Sequence, residues 1–221
     1  MSTLSPPFRW IERDLRPRFP LLADKALEAY GIAKSAMMQQ ELSASDLSRL
    51  EEISRDKSLM LRDWAVSVVA ALSDVFPSAA RSLERFVADG RGDVAVSAIA
   101  ALHNVVNVSL KERVARAGLR HKSKKVRVLA GSKIQVFRLN VLLDELAQTI
   151  TAEKDEECRA SLEFSYHLLR DGHIIKNRES GALYVTVAGA RSIISREYSK
   201  EMVEEKGVDR LIEALKSGAN F

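Results

Sequence analysis

Apolar residues recur at spacings of three and four along most of the chain, a pattern that predicts a succession of short amphipathic helices. Nine helices are expected between residues 21 and 169, one beginning roughly every 15 residues. Their expected first residues are Leu21, Asp46, Leu59, Ser78, Asp93, Ser109, Lys124, Leu139 and Asp155. This even rhythm indicates a fold assembled from helical pairs.

Two of these helices are rich in small residues and overlay one another. Residues 64–72 match residues 94–102 with an offset of 30, and both segments end in Ala-Ala-Leu. Weaker copies follow over residues 128–134 and 160–166. Small side chains permit the close backbone approach that an inner helix needs in a stacked array of helical hairpins. We therefore expect an internal repeat of about 30 residues.

The Ala-Ala-Leu triplets at 70–72 and 100–102, with Arg62-Asp63 and Gly92-Asp93 before them, resemble short bacterial HEAT-like repeats. The resemblance covers about residues 43–171 and implies an all-α fold, a right-handed α-α superhelix of about four helical hairpins. Lys133, Gln135 and Glu163 depart from the apolar pattern in the last two copies. A generic helical bundle is therefore the alternative fold.

Both ends of the chain differ from this helical middle, residues 21–171. Residues 1–20 contain four of the five prolines, which predicts a Pro-rich N-terminal arm with at most one short turn around residues 10–16. Residues 172–221 are expected to form a small β-hairpin, with strands over 173–177 and 182–187, and a two-helix C-terminal cap. The cap helices are expected over residues 190–205 and 208–216.

Charge is unevenly distributed although the net charge is only +4. Residues 111–138 contain ten Lys or Arg and one acid, Glu112, whereas residues 139–171 contain eight acids and three Lys or Arg. Within the basic segment, Arg113, Arg116 and Arg120 form a stripe on one side of their helix. The candidate partner-binding residues are Arg113, Arg116, Arg120, Lys122, Lys124, Lys125 and Arg127.

Three explanations of the basic segment remain open. It can bind an acidic protein surface, it can bind a nucleic-acid backbone, or it can pair with the acidic segment 139–171. The only aromatic residue among residues 109–138 is Phe137, so the stacking rings typical of single-strand binding are scarce. An acidic protein partner is favoured.

The sequence shows no recognisable catalytic or cofactor-binding motif. It lacks the Gly-rich phosphate loops and the nucleophile elbow, and its four histidines and Cys158 have no metal-binding spacing. We therefore expect no catalytic residue, no cofactor and no metal. One cysteine and the lack of a membrane-length apolar stretch favour a reduced, cytoplasmic protein without membrane contact.

These observations favour a non-catalytic repeat scaffold that binds an acidic protein through its basic patch. By analogy of fold, it would be an adaptor or an immunity protein that neutralises a toxin. The alternative is a nucleic-acid-binding HEAT-like protein, including a base-excision enzyme that resembles HEAT-like DNA glycosylases. Asp63 and Trp64 are the candidate carboxylate and stacking residue for that reaction.

Overall fold

The computed structural model describes residues 11–189 and 193–218, and these are mostly helical. The helices are α1 (Pro20–Gln39), α2 (Ala44–Ile53), α3 (Leu59–Leu72), α4 (Pro77–Ala88), α5 (Gly92–Ala100), α6 (Val108–Leu119), α7 (Lys124–Val136), α8 (Leu143–Ala152), α9 (Glu156–Arg170), α10 (Lys200–Lys206) and α11 (Val208–Ser217). The strands are β1 (His173–Asn177), β2 (Leu183–Ala188) and β3 (Ile193–Tyr198). All nine helices predicted between residues 21 and 169 are present.

Local sequence explains where several helices begin. The side chains of Ser43, Ser58, Asn107 and Asp155 each accept a hydrogen bond from the backbone N–H three residues later, which caps α2, α3, α6 and α9. Pro20 and Pro77 instead occupy the first positions of α1 and α4, where a missing N–H has no cost.

The N-terminal prediction is only partly within the described residues, because residues 1–10 lie outside them. Ile11–Leu15 forms a single π-helical turn, as expected for this region, and buries the side chains of Ile11 and Leu15. The first helix then begins at Pro20, at the end of the expected arm.

The chain divides into two compact units, residues 1–133 and 134–221. In the first unit, α1, α3 and α5 contact one another in order, and so do α2, α4 and α6. Each helix from α1 to α6 also contacts the next along the chain. The core between these two rows contains fully buried residues of both, including Leu61, Leu83, Phe86, Ile99 and Val114. Burial of these side chains supplies the main stabilisation.

The α2–α3 and α4–α5 helical pairs are offset by 33 residues, and not by the 30 residues that the sequence overlay predicts. Leu59 and Gly92, the first residues of α3 and α5, are 33 residues apart, and so are the first residues of α2 and α4. At this offset the buried positions Leu61, Arg62, Ala65, Val66, Val68 and Val69 all fall on buried positions of α5 and the 3₁₀ turn after it. The predicted offset of 30 fails because residues three apart share one helix face, so a three-residue slip preserves the apolar pattern.

Polar contacts between neighbouring pairs repeat with the same period. Lys25 binds Asp56, 31 residues later, and the Asp74 carboxylate accepts from the N–H groups of Val106 and Asn107, 32 and 33 residues later, at 2.7 and 2.8 Å. On the α2, α4, α6 row, Glu51 binds Arg85 and Glu84 binds Arg113. Equivalent positions in successive pairs therefore lie side by side in the first unit.

The second unit combines the α8–α9 hairpin with an antiparallel sheet in the order β1-β2-β3. The predicted hairpin is present as β1 and β2. The helix expected over residues 190–205 is right only for its last part, which lies in α10, because residues 193–198 form a third strand. Residues 190–192 lie outside the described residues. Ile193, Ile194 and Tyr198 are residues that favour strands. Pairing with β2 and burial of Tyr198 against α11 outweigh the weaker helical pattern.

No helix in residues 11–189 or 193–218 is long and apolar enough to cross a membrane.

Gly118 marks a close contact between helices of the first unit and generates a stability prediction. A Cβ atom at Gly118 would lie 2.7 Å from Ile99 Cδ1 and 2.8 Å from Ala130 Cβ, so α5, α6 and α7 meet where no side chain fits. We expect Gly118→Ala to reduce the free energy of unfolding by about 1–3 kcal/mol through overpacking.

The matched control is Gly31→Ala in α1, since an added Cβ there meets nothing within 4 Å. That substitution should stabilise the protein by about 0.5–1 kcal/mol because alanine is the better helix former. Urea unfolding of both variants measures the two effects, and a stabilised G118A protein would contradict the proposed close contact.

Candidate functional site

Three loops of the first unit each contain the same type of turn. We call these loops, residues 54–58, 89–91 and 120–123, the loop row. They connect α2 to α3, α4 to α5 and α6 to α7. Asp56 Oδ1 accepts from the Ser58 N–H at 2.9 Å, and Asp89 Oδ1 accepts from the Arg91 N–H at 2.9 Å. In the third loop, His121 Nδ1 accepts from the Ser123 N–H at 3.0 Å. Each turn is closed by one side chain that binds the N–H two residues later.

The second unit contains the same turn between α8 and α9. Glu153 Oε1 accepts from the Asp155 N–H at 3.1 Å, and Asp155 then caps α9. The four segments, Asp-Lys-Ser, Asp-Gly-Arg, His-Lys-Ser and Glu-Lys-Asp, begin at residues 56, 89, 121 and 153. Their spacing of 33, 32 and 32 residues is visible in the sequence, and it is the signal that the overlay of Ala-Ala-Leu triplets missed.

In two of the loops, an arginine six residues after the side chain that closes the turn binds backbone carbonyls of the loop. Arg62 Nη1 donates to the Asp56 carbonyl at 3.1 Å, and Arg127 Nη1 donates to the carbonyls of His121 and Lys122 at 3.0 and 2.9 Å. These guanidinium groups satisfy carbonyls that precede the next helix, where no helical N–H is available. These two loops are therefore held by an arginine of the helix that follows as well as by the hydrogen bond within the turn.

Successive loops of the row contact one another directly. Arg91 Nη2 donates to the Arg55 carbonyl at 3.1 Å, and His121 Nε2 lies 3.1 Å from the Asp89 carbonyl oxygen. A Cβ atom at Gly90 would lie 3.5 Å from Lys122 Nζ, so the Lys122 ammonium group sits beside the second loop. The three loops thus form a continuous edge of the first unit.

Acids in the first two loops are neutralised within the chain. Lys25 Nζ lies 2.7 Å from Asp56 Oδ2, and Arg55 Nε lies 3.4 Å from Asp89 Oδ2. The hydrogen bond from Lys25 lowers the pKa of Asp56, and the bond from the Ser58 N–H lowers it further. Charges at this end of the loop row are largely balanced.

The third loop differs because a histidine replaces the acid. The His121 ring is buried, and it accepts at Nδ1 and donates at Nε2, which defines a neutral Nε2–H tautomer. Residues 120–127 contain no carboxylate. Arg120, Lys122 and Lys125 are exposed and form no ion pair with any residue in the described parts of the chain. Positive charge is therefore uncompensated at this end of the loop row.

The structure separates the seven predicted partner-binding residues into two groups. Arg113 Nε binds Glu84 Oε1 at 2.7 Å, and Arg127 binds the loop carbonyls, so both have partners inside the first unit. Arg116 is half-buried on α6. Arg113 is exposed although it is paired, and the other exposed members, Arg120, Lys122, Lys124 and Lys125, lie together at the α6–α7 connection. Sequence reasoning could not identify the partner of Arg113, because Glu84 lies 29 residues away.

Asp63 and Trp64, the residues considered for base excision, lie on α3 and are half-buried. The Asp63 carboxylate accepts a hydrogen bond from the Ser97 hydroxyl, and Ser97 also lies 3.3 Å from the buried guanidinium of Arg62. The Trp64 ring lies 6.5 Å from the Tyr30 ring in a tilted arrangement. Both side chains thus take part in contacts between helices of the first unit.

Two polar groups in the second unit also have partners. The buried thiol of Cys158 donates to Glu153 Oε2 at 3.0 Å. At the end of α9, Arg170 binds both oxygens of Asp171 at 2.7 Å and lowers the pKa of that carboxyl to about 2. Among the residues described, no three His, Cys, Asp or Glu side chains are grouped as metal ligands.

Comparisons with protein-family models, with curated proteins and with solved structures found no match to this chain. The functional interpretation therefore depends on the charges and contacts of the loop row itself.

Removal of the Lys25 ammonium is expected to weaken the first unit at neutral pH but not in acid. A carboxyl whose pKa is lowered by folding stabilises the fold above its unfolded value of about 4, and this contribution disappears as the pH falls through the lowered value. Because the pair is partly exposed, Lys25→Gln should cost at most about 1 kcal/mol at pH 7.

Urea unfolding of the wild type and K25Q at several pH values measures this dependence. Lys34→Gln is the control, since Lys34 is exposed on the same helix and forms no ion pair in the described parts of the chain. The destabilisation by K25Q should shrink below about pH 4. An effect that is equal at pH 7 and pH 2 would exclude the Lys25–Asp56 pair as its cause.

Proposed function

We propose that this chain is a non-catalytic binding protein, an α-solenoid of HEAT-like helical hairpins that binds an acidic surface of a partner protein through the third loop of the loop row and the adjoining start of α7. Its contact residues are Arg120, Lys122, Lys124 and Lys125, with Arg113, Arg116 and Arg127 behind them. Adaptors and immunity proteins that neutralise toxins are the classes of binding protein that fit this arrangement.

The helix contacts support the solenoid part of the proposal. Alternate helices of the first unit contact one another in two rows, as stacked helical hairpins require. Polar side chains join residues about one repeat apart, and the same turn recurs four times along the chain. A generic bundle does not require either regularity.

The observation that carries the binding proposal is the replacement of a turn acid by His121. The first two turns use a carboxylate, and each carboxylate is balanced by a neighbouring cation. His121 makes the same turn without a negative charge. The exposed side chains of Arg120, Lys122 and Lys125 form no ion pair with a described residue. These three cations therefore project an unbalanced positive potential, which raises the local concentration of an anionic partner.

An acidic protein is favoured over a nucleic acid because of the side chains in the loop row. The three loops contain no aromatic residue other than the buried His121 ring, so bases have no exposed ring on which to stack. Arg120 has a planar guanidinium that suits a carboxylate, and the neighbouring lysines add charge without a fixed geometry. Duplex DNA, which needs phosphate contacts alone, is the alternative that the experiment must separate.

Two substitutions at His121, to Asn and to Asp, test the proposal, because these two side chains have nearly the same shape and differ in charge. Asn at position 121 can keep the turn bond to the Ser123 N–H without charge, whereas Asp keeps the same bond and adds a negative charge beside Lys122. We expect His121→Asp to weaken partner binding by about fivefold, near 1 kcal/mol, while His121→Asn leaves it almost unchanged. Thermal unfolding of both variants checks that they remain folded.

Binding is measured by affinity capture from the native host with the wild type, H121D and H121N, followed by quantitative mass spectrometry. The proposal expects an acidic protein that the wild type and H121N retain and H121D loses. Equal recovery of every protein on all three baits would refute it. Fluorescence anisotropy with duplex DNA tests the alternative, for which affinity should fall steeply as salt is added.

A further inference from the structure

We infer that the occupant of the loop row is an extended acidic segment of the partner, with a carboxylate at every third residue, that crosses all three loops. This inference rests on the proposed function and specifies the chemistry of the partner. It extends the contact surface beyond the third loop to Lys57 and Arg91, which the sequence did not single out.

Each loop of the row contributes at least one exposed cation. Lys57 lies in the first loop, Arg91 in the second, and Lys122 in the third beside the exposed Arg120. Lys57 and Lys122 form no ion pair with a described residue. Arg91 lies 3.5 Å from the exposed carboxylate of Asp93 and donates one Nη2–H to the Arg55 carbonyl, which leaves its other N–H groups for an external anion. These three side chains can therefore meet an external anion without losing a strong internal partner.

The spacing of the loops determines the spacing of the anions. The loops are in direct contact through the Arg91 to Arg55 and His121 to Asp89 hydrogen bonds. Packed helices lie about 8–10 Å apart, so cations on successive helical pairs recur at about that distance. A polyproline II segment advances about 3.1 Å per residue and returns to the same face every third residue, about 9.3 Å further along. In such a segment, carboxylates at every third residue have about the same spacing as the cations of successive loops.

Other occupants match the loop row less well. An acidic helix would need a groove with apolar walls in which to lie, and residues 54–58, 89–91 and 120–123 contain no exposed large apolar side chain. The phosphates of one DNA strand advance only about 3.4 Å each along the duplex axis, so their spacing does not correspond to one loop per phosphate. An extended chain can satisfy all three cations in turn.

Peptide probes test the spacing. The main probe is a fluorescent peptide of five Asp-Pro-Pro triplets, which favours polyproline II. A second peptide has the same composition with its five Asp residues consecutive, a third has Asn in place of Asp, and a fourth is helical with Glu at every seventh position. Anisotropy in low salt should show the spaced peptide binding at least fivefold more tightly than each of the others. A consecutive or helical peptide that binds equally well would overturn the inference.

Paired variants locate the contacts along the row. Lys57→Gln with Arg91→Gln removes the cations of the first two loops, and Lys122→Gln with Lys125→Gln removes cations at the third. Lys34→Gln with Arg81→Gln is the matched control, because both cations are exposed on α1 and α4 and form no ion pair in the described parts of the chain. We expect each loop variant to weaken binding of the spaced peptide by about tenfold and the control by less than twofold.

The outcomes separate this inference from the proposed function. If K122Q/K125Q weakens binding and K57Q/R91Q does not, the basic third loop remains the binding surface and the extended segment is excluded. If neither loop variant differs from K34Q/R81Q, both the loop row and the proposed function are wrong. Circular dichroism and thermal unfolding confirm that each variant is folded before binding is compared.

Discussion

The hydrogen bond between a turn side chain and the N–H two residues later is the interaction on which the helical pairs depend. A chain that leaves one helix and enters another in three to five residues must satisfy backbone groups that neither helix can satisfy. Asp56, Asp89, His121 and Glu153 each do so with a side-chain acceptor. Because the turn is short and closed, the two helices of a pair return against each other. Burial of apolar residues between the helices then stabilises the pair.

This structural role leaves the charge of the turn residue open, and the chain varies the charge. Aspartate and histidine can both accept from an N–H, but only aspartate needs a nearby cation. Lys25 and Arg55 meet that need in the first two loops. At the third loop the requirement disappears, while the basic residues around it remain. The proposed binding surface therefore combines the same turn bond with an uncharged turn residue, which also binds the Asp89 carbonyl of the second loop.

Much of the helical architecture was predictable from the sequence, because the apolar spacing of each helix is a local property. The offset of 33 residues between the α2–α3 and α4–α5 helical pairs was not predictable, since a slip of three residues keeps the same helix face buried. The third strand was also missed, because residues 193–198 depend on pairing with β2. Of the candidate site, the exposed cations at 120–125 were identified from sequence alone. The Arg113–Glu84 pair joins residues on different helices, and the inward bonds of Arg127 depend on the loop conformation.

The two carbonyl contacts of Arg127 affect the affinity and selectivity with which the proposed site would bind a partner. Arg127 holds the peptide group before the Lys122 Cα through the His121 carbonyl, and the His121 ring holds the peptide group after it through the Ser123 N–H. A ligand that meets Lys122 therefore restricts the rotamers of a side chain and does not have to order a loop. Preorganisation of this kind reduces the entropy lost on association, so weak individual charge pairs can add up to useful affinity. A held backbone would also make the proposed site intolerant of partners whose charges are wrongly spaced, since the loop would not rearrange to meet them.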